Sequence, residues 1–146
     1  MTQVVDDLTL LAILSDEAEP ALLTAVEAGE VWTTGTWYYR LHRAINDPKS
    51  TGIFSRIAAE LSSERRSELI DALNDPPAEI TIPGPRLVVP IMGALRLDPR
   101  PNLLTAEAIA VGLLSGGTIR VANESPPLTR GCQTCGIPLT VASPLA

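Results

Sequence analysis

The sequence is short of aromatic residues, cysteine, histidine, basic charge and long apolar runs, and each shortage narrows what the chain can be. Two Trp, two Tyr and one Phe make up only 3% of the 146 residues, so Ala, Leu, Ile and Val must fill the interior. Such a core suits helices packed on a small sheet. The two cysteines, Cys132 and Cys135, are too few for a disulfide framework and fit a reducing cytoplasm. With His42 as the only histidine, Cys and His alone cannot complete a four-ligand zinc site. The longest apolar stretch, Leu87 to Leu95, is interrupted by Pro90 and falls far short of the roughly 20 residues that span a bilayer. No transmembrane helix is expected. Asp6 and Asp7 stand where a secretory leader carries Lys or Arg, so the expected location is the cytoplasm. A net charge of −6 predicts no general attraction to polyphosphate or anionic lipid. No membrane or DNA partner is therefore expected, and any contact with RNA must use a local patch.

What is present reads as one α/β domain over residues 1–146. Gln3 to Val5 is a short strand, and Leu8, Leu10, Leu11 and Leu14 then recur on a helix face. A second helix lies in Glu19 to Gly29, with Pro20 near its start and Gly29 past its end. Val31 to Thr34 is β-branched and returns to the sheet, and Trp37, Leu41 and Ile45 mark a helix closed by Asp47-Pro48. Ile53, Ile57 and Leu61, then Leu69, Ile70 and Leu73, predict a helical pair. Glu79 to Ile82 alternates as a half-buried strand does, and Pro83-Gly84-Pro85 stops it. Leu87 to Leu97 reads as a helix with Pro90 in its first turn or bending it. Leu104, Ala108, Val111 and Ser115 line another helix, stopped by Gly116-Gly117. Strands follow at Thr118 to Ala122 and Leu139 to Ala142, around a loop or short helix over Ser125 to Cys135. Strands alternating with helices predict a small, mostly parallel sheet with helices on both faces, a three-layer α/β/α arrangement whose function collects at the carboxyl ends of its strands.

Asp6 and Asp7 sit at such a strand end, and two stretches of the chain carry a recognisable order of elements. VVDDLTLLAIL is a hydrophobic strand, an acid at its end and a Leu-rich helix. In NLLTAEAIAVGLLSGGTIRVANESPPLTRGCQTCGIPLTV, a small-residue helix carries Glu107 near its start, a Gly turn leads to a strand, and Asn123 follows that strand. This layout resembles the PIN domain family, including the VapC-like toxins of bacterial toxin–antitoxin pairs. The match covers both ends of the chain, while residues 46–100 agree in element order alone.

The resemblance implies a ribonuclease site in which clustered carboxylates hold Mg²⁺ or Mn²⁺ and activate water against an RNA phosphodiester. Hard cations prefer oxygen ligands, and bringing carboxylates together is repulsive unless a cation offsets it. Carried onto this chain, Asp6 and Glu107 would be metal ligands, and Asn123 would orient water or phosphate. The second acid of the family would fall in TGTWYYRLHRAI, where only Tyr38 or Tyr39 is found, and the last acid is replaced by Asn123. Two carboxylates in place of four imply weak binding of Mg²⁺ or Mn²⁺. Asp7, Glu60 or Glu124 could compensate.

Each candidate also has a structural reading. Asp6-Asp7 can cap the following helix, Glu107 can be first-turn charge, and Asn123 can be a turn residue. Cys132 and Cys135 form a Cys-x-x-Cys pair that reads as structural, with a thiol-based sensor as the alternative. The interleaved Trp37, Tyr38, Tyr39, Arg40, His42 and Arg43 can bind single-stranded RNA or can divide into core and solvated face. The leading expectation is a PIN-like protein with an eroded metal site that acts through association, as a homodimer or with a small partner. A Mg²⁺-dependent endoribonuclease of the VapC type is the alternative.

Overall fold

The computed structural model describes residues 1–47 and 60–146. Four strands form one parallel sheet: β1 (Gln3–Val5), β2 (Val31–Trp32), β3 (Thr118–Val121) and β4 (Leu139–Val141), in the spatial order β2-β1-β3-β4. The described helices are α1 (Asp7–Leu14), α2 (Pro20–Glu27), α3 (Gly35–Asn46), α4 (Ser63–Asn74), α5 (Pro85–Ala94), α6 (Leu103–Ser115) and α7 (Pro126–Cys135). This is the expected small α/β fold with helices on both faces. β1 lies inside the sheet because it pairs on both sides, Val4 with Trp32 and with Ile119.

The strands are short but fully committed, since the pleat sends alternate side chains to opposite faces. Val5 and Val31 belong to one buried cluster with Leu10, Leu22, Leu41, Ile45, Leu69 and Leu73, under α1 to α4. Val4, Ile119 and Val121 belong to the other, with Val88, Ile109, Val111 and Leu128 under α5 to α7. α3 touches both, through Leu41 and Ile45 in the first cluster and Trp37 in the second. Small residues let α6 pack closely on β3: a Cβ at Gly112 would stand 2.9 Å from Ile119 Cδ1. The turn between them needs glycine, because Gly116 has φ +66° and a Cβ on Gly117 would sit 2.0 Å from the Thr2 carbonyl oxygen.

One local expectation changes, and two open alternatives are narrowed. Glu79 to Ile82 is not a strand: Thr81 alone bridges to Trp32, donating to the Val31 carbonyl at 3.1 Å while its own carbonyl accepts from Thr33 N at 3.0 Å. Pro77 and Pro83 lack N–H donors, which limits any ladder at this edge. Pro90 is the sixth residue of α5 rather than part of its first turn, so the ordinary bond back to the Arg86 carbonyl is missing. Ser125 to Cys135 resolves to a helix, with two prolines in its first turn and Gly136 as a left-handed stop. Of the predicted stripe Ile53, Ile57 and Leu61, the first two lie outside the described residues.

Candidate functional site

The carboxyl edge of the sheet is built from the residues just past the ends of β1, β2 and β3, together with the start of α6. Continuing the parallel register places Asp6 level with Thr34 and Val121, because Val4 is level with Trp32 and Val5 with Arg120. Thr33 Oγ1 donates to the Val5 carbonyl at 2.8 Å, and Asp6 N donates to the Arg120 carbonyl at 3.3 Å. α6 runs back toward β3, which brings its amino-terminal turns, and Glu107 with them, to the same edge.

Asp6 is buried. Its Oδ1 accepts from Thr9 N at 3.0 Å, which caps α1, and its Oδ2 accepts from Ala122 N at 2.9 Å, which ties β1 to the end of β3. A carboxylate with both oxygens taken by backbone donors is a brace as well as a charge. Glu107 behaves alike. Its Oε1 accepts from Thr36 N at 3.0 Å and its Oε2 from Thr36 Oγ1 at 2.8 Å. With Thr34 Oγ1 accepting from Trp37 N at 3.0 Å, Glu107 completes the amino-terminal cap of α3 from another helix. A Cβ at Gly35 would meet Oε1 at 3.4 Å, an ordinary contact, so the cap does not depend on this glycine.

Asn123, the third candidate, is exposed beyond β3 and makes no side-chain hydrogen bond among the described residues. The alternative acids divide. Glu124 and Glu60 are exposed. Asp7 is the buried one: its Oδ1 accepts from Leu8 N at 3.0 Å, and its Oδ2 lies 3.4 Å from Arg40 Nε without a hydrogen bond. Burial pushes the Asp7 carboxyl up to about 6, against the pull of Arg40 and with a further push from Asp6.

The segment expected to hold the second family acid is occupied differently. Tyr38 donates its hydroxyl to the Leu73 carbonyl, and His42 Nε2 lies 3.1 Å from the same oxygen. The two rings meet edge to face at 4.6 Å. Both therefore fasten α3 to the last turn of α4. Burial, then Asp75, raises the Tyr38 phenol, which moves it further from ligand character. Tyr39 is exposed. Among the described residues, no three His, Cys, Asp or Glu side chains come together as a metal-holding group. The donor set thus fits a hard divalent ion poorly: two carboxylates already serve backbone donors, and the remaining positions offer an exposed amide and two phenols.

Cys132 is buried and Cys135 partly exposed, both as free thiols at the carboxyl end of α7. Burial, then Cys135, pushes the Cys132 thiol up to about 11. Reactive thiols need the reverse, a helix start or a nearby cation that favours thiolate.

Three participants had little voice in the sequence: Thr36, Arg40 and Arg120. The run Thr33-Thr34-Gly35-Thr36 before an apolar-periodic segment was a capping signal. Arg120, between Ile119 and Val121, was a charge in a strand covered on both faces and so required partners. It finds them in Glu19 Oε1 at 2.7 Å and the Ser143 carbonyl at 3.1 Å. No family model matches the chain, and no curated protein matches it.

Proposed function

We propose that the protein is a PIN-like scaffold that does not depend on metal-assisted RNA cleavage and acts in the cytoplasm through association, with a second copy of itself or with a small protein partner. The observation that carries this reading is that all four carboxylate oxygens of Asp6 and Glu107 accept hydrogen bonds from the protein. Each acid holds two elements together, β1 to β3 and α6 to α3, so its charge is spent on the frame rather than left to gather a cation. Association is supported by α5, an apolar helix on which Val88 alone is buried while Leu87 and Val89 remain 58% and 57% exposed. Exposed apolar residues grouped on one element mark interaction surfaces.

Two measurements on the full chain test the two halves of the proposal. Incubation with single-stranded RNA in Mg²⁺ or Mn²⁺ is expected to give no cleavage that depends on Asp6. Turnover lost in both Asp6→Asn and Glu107→Gln, with circular dichroism of each variant unchanged, would establish the endoribonuclease alternative instead. Sedimentation should show self-association weakened by Leu87→Ser with Val89→Ser. A strictly monomeric chain would move the proposal to a separate protein partner.

A further inference from the structure

Charge is divided unevenly along this acidic chain. Residues 1–79 hold fourteen acidic and six basic side chains, while residues 80–146 hold three acidic side chains and five arginines. Of those five, Arg120 is committed to Glu19 and Ser143. Arg100 and Arg130 have no carboxylate partner among the described residues. They come from different elements, the loop before α6 and the middle of α7, yet both line one cavity of about 170 Å³.

We propose that this cavity is a binding site for a small phosphate-bearing molecule. Two guanidinium groups bordering one small space repel each other until an anion lies between them, and their planar forks match a phosphate better than any other side chain does. Asp98, the one acid in the lining, leaves the cavity with net positive charge. The Asn102 amide lines it as a further polar group, although its Oδ1 is already engaged with Thr105 N at 2.9 Å. The walls are stiff, since Pro99, Pro101 and Pro127 fix their own φ angles, so little ordering is lost on binding. The volume equals that of roughly six waters at about 30 Å³ each, which admits a phosphoryl group with a short organic body. The site is separate from Asp6 and Glu107, so it stands whether or not the scaffold reading does.

The test is calorimetric titration of the full chain with inorganic phosphate and with glycerol 3-phosphate, using sodium chloride at equal ionic strength as the reference. Saturable binding of both phosphates is expected. Arg100→Ala and Arg130→Ala should each weaken it by about tenfold, as loss of one charge-assisted contact implies, and the double variant should abolish it. Both side chains are exposed, so the unliganded melting temperature should not move. No saturable heat with either phosphate, a response equal to that of sodium chloride, or binding that survives in the double variant would each overturn the proposal.

Discussion

The two faces of the sheet are covered differently. Under α1 to α4 the apolar residues are closed in by polar fastenings: Tyr38 and His42 reach Leu73, Arg66 reaches the Ile45 carbonyl at 2.6 Å, and Arg65 pairs with Glu17 at 3.1 Å. Under α5 to α7 the packing relies on small residues and close backbone approach, with Gly112 against Ile119 and Gly131 so near Ile109 that a Cβ would fall 2.2 Å from its Cδ1. Among the described residues, the first layer is closed by these fastenings, whereas the second keeps Leu87, Val89 and Leu103 exposed. The carboxyl edge joins them, because Asp6 and Glu107 tie elements rather than stand free.

The sharpest way to break this comparison is to hollow out each face in turn. Leu10→Ala on the first and Ile109→Ala on the second remove side chains that are 1% and 0% exposed, and each should cost about 3 to 5 kcal/mol. Because both clusters rest on β1, through Val5 on one face and Val4 on the other, one thermal transition should move in either variant. Two separate transitions by calorimetry would show that the faces fold independently.

A smaller loss is expected at the junction. Asp6→Ala removes the α1 cap and leaves Ala122 N without its acceptor, which together should cost about 2 to 3 kcal/mol in urea unfolding. A loss below about 0.5 kcal/mol would return Asp6 to the status of a free carboxylate and reopen the metal reading.

Asp7 should show the smallest change and the opposite sign. Its folded value of about 6 stands above its ordinary 3.8, so the folded state holds the proton more tightly than the unfolded chain. The stability contributed by the protonated carboxyl is full below about pH 4 and is lost as pH rises through about 6. Asp7→Asn should therefore stabilise the protein at pH 7 by on the order of 1 to 2 kcal/mol and flatten the stability curve between those values. Melting curves across pH 4 to 7 that stay parallel for wild type and variant would show that Arg40 already neutralises Asp7 in full.

Local chemistry is what the sequence by itself determined. Period-3.6 and period-2 patterns, with Pro20, Gly29, Gly116 and Gly136 as punctuation, place most described helices and all four strands, since these signals depend on near neighbours only. Alternation misled at Glu79 to Ile82, because a strand needs a partner of matching length and the neighbouring edge offers two residues. The place of Asp6 was also legible, since it directly follows the strand Gln3–Val5, whereas Glu107 was a candidate only through the family resemblance. What those acids do was decided by tertiary structure. Asp6 finds Ala122 N, 116 residues away, and Glu107 finds Thr36, 71 residues away. A carboxylate reads the same in a sequence whether it awaits a cation or caps a helix, and only the donors folding brings within about 3 Å tell the two apart.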